Sequence, residues 1–464
     1  MRMNSLLLNA GMNGMAQALS KLVRFGITSI ALVRYGASSW GEIAFALTVL
    51  TYLNFVLDFG LSSLALIERP DDKGLDRKFY ISLSYVRGFL ILAMFALAAG
   101  ATCIFDISSG FILKAYLLQL FLKPFNFDWF LSRKGYTAYS PLVQTVRQIA
   151  ILGVLVVASL PSIEHFVMLD VGTEILATLA LWVIGPKKEF RFGLPSREEL
   201  RGAMSCYRGS VILFISSSLL LLHQNFDIFV LKFFVGNAAV GIYDYCFRYA
   251  MFIFVLGSSL SIPLRRQLAR LKDANETLAR SELVFCSHKL LGILSAVFLL
   301  GTMCFSEKFF TVVVPVEMEF DPPRVIILFA CWLVFSFYSV PWSEWLISQS
   351  RKKYLMLAIV AGIVNVVSNL LLVPQFEVSG AAVAKICSEL GIFAFLFLSV
   401  PAEMRRHIFK VAGIHVALLP SVVWFFVEGA LPWWLILSTV AVEAVYMVAS
   451  RYITREDLKF LSRN

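Results

Sequence analysis

The stretch LVRYGASSWGEIAF, Leu32 to Phe45, lies between two long apolar runs yet is rich in small residues, with Gly36 and Gly41 five positions apart. Two hundred residues later KFFVGNAAVGIYDY, Lys232 to Tyr245, repeats the pattern with Gly236 and Gly241. A short corner of small residues suits a helical hairpin, because glycine turns the chain at little steric cost. The same corner at an offset of 200 points to an internal duplication. A second echo supports it. PFNFDWFLSRKGY (124–136) and PWSEWLISQSRKKY (341–354) share Pro, acid, Trp and Ser-Arg-Lys in order, which pairs Asp128 with Glu344 and Trp129 with Trp345.

The solvent for these runs is lipid. Of 464 residues 59% are hydrophobic and 16% charged, with a mean hydropathy of +0.77. Soluble domains carry roughly 25% charge. A bilayer is spanned by about 20 mostly apolar residues as a helix, and backbone groups in lipid must bond within the segment. The runs have helical length and no ten-residue alternation, so the expected fold is an all-α integral membrane protein of about 14 transmembrane helices. Cuts at charged or Gly/Pro-rich breaks place them at 6–31, 40–67, 79–102, 111–131, 138–160, 164–184, 209–233, 242–264, 282–305, 324–348, 354–372, 380–400, 410–428 and 433–450. Residues 1–205 then form an N-terminal six-helix lobe and 206–400 a C-terminal six-helix lobe. Residues 401–464 hold two extra helices and a tail. Six is even, so the lobes are related by a pseudo-twofold axis along the membrane normal, a transporter plan.

Loop charges set the orientation. Arg2, six alternate inter-helix segments and the tail on one side hold 28 Lys and Arg, and the opposite loops hold two, Arg34 and Lys308. Positive charge collects on the cytoplasmic side, so both termini are expected there. The net charge of +10 therefore reflects topology and anionic headgroups, and no nucleic acid partner is expected. The opening residues read as the first helix rather than a cleavable signal. Seven scattered Cys and five scattered His show no disulfide or metal spacing, no phosphate loop is found, and no cofactor is expected.

Charges inside apolar runs usually face a bundle interior or water. On the first helix Asn9, Asn13, Gln17, Ser20, Lys21, Arg24 and Thr28 recur every three or four residues, while Leu19, Val23, Ile27 and Ile30 take the other face. Such a stripe either lines a water-filled path or forms a polar seam between helices. Further charges at membrane depth are Asp58, Arg87, Lys123, Asp128, Arg147, Asp227, Glu344 and Glu443. Asp244/Arg248 and Lys385/Glu389 stand four apart and suit intrahelical ion pairs. Asp170 and Glu174 carry like charge, so either one shares a proton or Asp170 is solvated near the outer edge. Asn365 and Asn369 form a polar face that fits interhelical contact or a ligand.

Three segments resemble bacterial polysaccharide exporters: LVRYGASSWGEIAFALTVLTYLNFVLDFGLSSLAL, HQNFDIFVLKFFVGNAAVGIYDYCFRYA and SRKKYLMLAIVAGIVNVVSNLLLVPQFEVSGAAVAK. The family is the polysaccharide/O-antigen repeat-unit flippase (Wzx-like) branch of the multidrug/oligosaccharidyl-lipid/polysaccharide exporter superfamily. The resemblance implies a non-enzymatic flippase of the bacterial inner membrane, moving an undecaprenyl-diphosphate-linked oligosaccharide outward by alternating access. Its partners would be that lipid-linked oligosaccharide, membrane lipids, a polysaccharide polymerase and a chain-length regulator. Substrate or lumen candidates are Asn13, Gln17, Lys21, Arg24, Lys123, Arg147 and Arg248. Arg34 and Asp58 are candidates for mouth or gate, and Asp128, Asp227 and Glu344 for ion coupling. The two C-terminal helices would offer a groove for the lipid tail. An ion-coupled multidrug antiporter of the same superfamily is the alternative, kept open by Asp58 and Asp227. A membrane-embedded transferase would need a tighter constellation than His223 and Asp227 alone.

Overall fold

Every regular element described is helical. The computed structural model describes residues 3–62, 79–95, 110–126, 128–133, 139–158, 160–184, 195–258, 260–273, 276–313, 320–416, 418–428 and 432–449, with backbone alone for 3–14. Asn9 and Asn13 thus lie on a described helix, but their side chains are outside the described residues, as are Arg2 and residues 450–464. Eight of the described helices are long and apolar enough to cross a membrane.

Helix α1 (Met3–Asp58) turns at Gly36, whose φ of 82° and ψ of 164° interrupt an otherwise helical backbone. That region is open to glycine and strained for other residues. The corner is therefore one residue long, and helix resumes at Ala37 rather than near 40. Its echo behaves alike. The helix before the second corner ends at Phe234, Gly236 takes φ of 118°, and the next helix begins at Asn237. Both hairpins restart at corresponding positions, 37 and 237, which preserves the offset of 200.

After α1 come α2 (Ile81–Phe95), α3 (Phe111–Leu118), a 3₁₀ stretch over Gln119–Phe125 and α4 (Asp128–Arg133). The expected single helix over 111–131 is broken here, because Pro124 removes a backbone donor. Pro341, its counterpart in the second echo, sits inside a continuous helix, so that echo is one of sequence and not of backbone. The first turns of α2, Ile81–Val86, are wound as a π-helix, and the Tyr207 hydroxyl donates to the Ser82 carbonyl there at 3.2 Å. Next are α5 (Tyr139–Val157) and α6 (Ile163–Ile184).

Helix α7 (Arg197–Phe234) starts twelve residues before the expected 209. Ser196 and Glu199 form a capping box: Glu199 N–H donates to the Ser196 hydroxyl at 3.2 Å, and Ser196 N–H to the Glu199 carboxylate at 2.8 Å. Then follow α8 (Asn237–Ser258), α9 (Ser261–Asp273), α10 (Thr277–Val313), α11 (Pro322–Gln349) and α12 (Arg351–Ser399), which breaks at Glu377. Helices α13 (Ala402–Val416), α14 (Leu419–Glu428) and α15 (Trp433–Ala449) close the chain. The expected helix 410–428 is thus two helices, the first beginning at Ala402.

The chain divides into two compact units, Met1–Leu221 and Leu222–Asn464. In the first, α1 packs along α5 and α3, and a cluster of Leu61, Phe79, Ile81, Leu83, Trp129 and Phe130 lies beside Tyr207. In the second, α11 is central, packed on α8, α9, α10 and α12 with Trp342 fully buried. Met404, Ile408 and Val411 of α13 and Phe425 of α14 belong to that same apolar core.

Candidate functional site

In the first unit the polar stripe of α1 changes character along its length. Gln17 and Lys21 are exposed, Arg24 is partly buried and Thr28 is fully buried, its hydroxyl donating to the Arg24 carbonyl at 2.9 Å. Val23 and Ile27 opposite are buried. The stripe is thus exposed at its N-terminal end and runs into a packed polar seam. The Ser20 hydroxyl donates to Gln148 of α5 at 3.0 Å, and Thr145 of α5 donates to the Ala16 carbonyl at 3.1 Å.

Where the stripe enters the seam it meets a charge cluster drawn from four helices. Asp170 of α6 is 1% exposed, accepts from Arg147 of α5 and from the Tyr116 hydroxyl of α3 at 2.8 Å, and forms an ion pair with Arg24 at 3.6 Å. Arg147 also pairs with Glu174 at 2.9 Å, donates to Gln144 at 3.0 Å and reaches Thr173 at 3.3 Å. The solvated or proton-sharing reading of Asp170 and Glu174 is corrected here. Each carboxylate faces a guanidinium, which removes the like-charge repulsion that would hold a proton on one of them. Two carboxylates then oppose Arg24 and Arg147, with Lys21 as a third cation one turn below Arg24. Tyr116 gives no sequence signal, and Asp170 and Glu174 stand out only as like charges in an apolar run, because pairing across helices is not visible from spacing.

Lys123 stands apart from that pair of arginines on the 3₁₀ stretch, within electrostatic reach of Glu174, Asp128 and Asp58. Its carbonyl accepts from Arg87 at 3.2 Å. Arg87 in turn donates to Asp58 at 2.8 Å. Asp58 closes α1: Phe59 and Gly60 take φ of 48° and 73°, and the carboxylate accepts from the backbone N–H of Ser62 at 3.3 Å and from its hydroxyl. In Asp-x-Gly-Leu the acid therefore ends one helix, starts the next turn and anchors α2 through Arg87. Arg34 is likewise tied down. Its guanidinium donates to the Ala158 carbonyl at 3.1 Å, just past the end of α5, and the Tyr35 hydroxyl donates to the Leu160 carbonyl at 3.3 Å. A cation at a helix C-terminus complements the dipole. Asp128 is partly buried, with the Asn126 amide oxygen accepting from its N–H at 2.8 Å.

The second unit holds a different cluster. Lys385 of α12 is 1% exposed, and its ammonium donates to Asp227 at 3.0 Å and to the carbonyls of His223 (3.1 Å) and Gln224, all on α7. The Phe247 ring lies 5.0 Å from that ammonium, and the Tyr243 hydroxyl donates to Asp227. The expected intrahelical pair Lys385/Glu389 is corrected: Lys385 reaches across to α7, and Glu389 approaches His223 at 3.8 Å. His223 also bonds Ser388, whose hydroxyl meets the Ala361 carbonyl at 3.0 Å. Arg248 pairs with Asp244 on its own helix at 2.6 Å, as the spacing predicts. Glu344 of α11 forms a two-pronged pair with Arg265 of α9, at 2.6 and 3.1 Å. Asn365 and Asn369 are fully buried, and Asn369 donates to the Asn365 carbonyl at 2.9 Å.

Comparison with known proteins bears on this arrangement. A family model described as polysaccharide biosynthesis protein matches residues 6–262, which include the whole first-unit cluster and the corner at Gly236. No curated protein matches the chain. Among solved structures, the lipid II flippase MurJ in an inward closed conformation aligns with a TM-score of 0.72 at 14% identity, covering 94% of this chain and 98% of its own. An inward-facing multidrug resistance MATE family transporter of the MOP superfamily aligns at 0.61 and 15%, covering 88% and 99%. A MOP superfamily transporter from Pyrococcus furiosus, whose binding pocket is described as of reverse polarity, aligns at 0.55 and 13%, covering 87% and 95%. The fold is therefore the all-helical fold of these multi-pass membrane proteins.

Proposed function

Because the chain belongs to the polysaccharide biosynthesis protein family, we propose that it is a flippase carrying an undecaprenyl-diphosphate-linked oligosaccharide repeat unit across the bacterial inner membrane for surface polysaccharide assembly. It would act by alternating access, with fourteen spans, both termini cytoplasmic and no catalytic step. A polymerase and a chain-length regulator would take up its product.

The observation that carries this reading is the cluster on α1, α5 and α6. Arg24 and Arg147 are fixed in place by Asp170 and Glu174, and Lys21 and Gln17 continue the line on the exposed part of α1. Arg147 engages Thr173, Gln144, Glu174 and Asp170 and so holds the acids in place, and Arg24 and Lys21 are the cations proposed to meet phosphate, to which charge-assisted contacts are strong where water is scarce. Hydroxyl and amide groups of Ser20, Gln144, Gln148 and Thr173 beside them suit sugar hydroxyls. Arg248, within the second unit, is kept as a separate candidate cation for the substrate.

The antiporter reading needs an acid free to take a drug cation or coupling ion. Asp170 already holds two guanidiniums, Asp227 holds the Lys385 ammonium, and Glu344 holds Arg265, so each is neutralised from within the chain. The test is surface glycan in cells that depend on this protein. Arg24→Ala should abolish its display while the variant accumulates in the membrane as a folded, monodisperse protein. Wild-type glycan levels in that variant would refute the role.

A further inference from the structure

We propose that Asp170 is a built-in competitor for the cargo's diphosphate: its carboxylate holds the guanidinium of Arg24, which the cargo must take from it to bind and which it takes back on release. The inference rests on the flippase reading and adds to it a device for letting go. One oxygen of Asp170 is contested. Its Oδ1 accepts from Arg147 at close range and faces Arg24 at 3.6 Å, while Oδ2 accepts from Tyr116 at 2.8 Å. A charge-assisted N–H···O bond is about 2.7–2.9 Å long, so Arg147 owns that oxygen and Arg24 stands back from it. Arg147 is also anchored elsewhere, to Glu174 at 2.9 Å, Gln144 at 3.0 Å, the Asp170 carbonyl at 3.2 Å and Thr173 at 3.3 Å. Arg24 lies where the stripe of α1 passes from exposed to buried, one turn from the exposed Lys21.

This asymmetry lets one arginine move and not the other. If Arg24 turns toward a phosphate beside Lys21, Asp170 keeps Arg147 and Tyr116, so the exchange strands no buried charge. If Arg147 turned instead, Glu174 and Asp170 would both lose their tightest cation. The competition has a measurable consequence. A site whose binding-competent form is only part of the population shows an affinity reduced by that fraction. Asp170 therefore weakens the hold on phosphate, and a path that must empty as well as fill needs binding that is not too tight.

The test is the sign of an affinity change. Radiolabelled geranyl diphosphate, a diphosphate on a short prenyl tail, is titrated onto the full chain in detergent by equilibrium dialysis. The wild type should bind it, and Arg24→Ala should weaken binding by about tenfold or more, which reads the phosphate site itself. Asp170→Asn should bind about tenfold more tightly than the wild type, because Asp170 no longer contests Arg24. A residue that only holds the fold together would give the opposite sign. Tyr116→Phe takes one donor from Asp170 and leaves the carboxylate to lean on Arg24, so it should weaken binding. Affinity in Asp170→Asn equal to or below the wild type would overturn the proposal and leave the flippase reading standing. Should that variant not accumulate as folded protein, unchanged affinity in Tyr116→Phe would overturn it instead. A wild type without Arg24-dependent binding would overturn both.

Discussion

Asp170 shows how one side chain organises a region that the sequence leaves open. Twenty-three positions separate it from Arg147 and more than a hundred from Arg24, so only the packing of α1, α5 and α6 brings them together. Removing one member of a buried ion cluster strands the others and costs about 3–5 kcal/mol. Asp170→Asn should therefore lower stability by that order in a thermal melt of the purified protein. Arg24→Ala should cost less, because Asp170 keeps Arg147 and Tyr116. The Lys385–Asp227 pair makes a parallel case with a different test. Lys385→Met leaves Asp227 buried with one partner, Tyr243, while Lys385→Met with Asp227→Leu removes both charges. The double variant should be more stable than the sum of the single losses by about 1 kcal/mol or more in denaturant unfolding. Additive losses would show that the two groups do not interact.

At the scale of elements, the hairpin corners were legible and the helix ends were not. Gly36 and Gly236 announce themselves by spacing, and both take positive φ. Gly36→Ala should cost about 1–3 kcal/mol, because that backbone region is strained for any side chain with a Cβ, and a melt of the variant checks it. Helix starts on the basic side were placed too late, at 209 instead of 197 and 410 instead of 402, because charge was taken to lie outside a helix. Charge marks the membrane edge instead. Helix α7 runs from Arg197 through its capping box, and α9 is a separate amphipathic helix whose Leu264 and Leu268 are buried while Arg265 and Lys272 reach Glu344 and the Ser348 carbonyl of α11. The candidate site was half legible for a related reason. Arg24, Arg147 and Asp227 stand out as charges in apolar runs, but Tyr116 looks like an ordinary aromatic and Lys385 like half of a local pair. Asp58 and Arg34, read as gate and mouth, are held in helix-terminating contacts, which no spacing rule reveals.

For the whole molecule the account commits to a topology and a cargo. In a background lacking the seven native cysteines, Ser38→Cys at the first corner should react only with reagent added outside the cell, and Arg201→Cys on the basic side only after permeabilisation. The reverse pattern would invert the orientation. The cargo is tested most directly in proteoliposomes containing the purified protein and an undecaprenyl-diphosphate oligosaccharide, by following how fast the glycan becomes accessible on the opposite leaflet. The account predicts rapid equilibration with the wild type, loss with Arg24→Ala, and no transport of cationic drugs in the same vesicles. Drug transport without glycan movement, or glycan movement undiminished in Arg24→Ala, would contradict it.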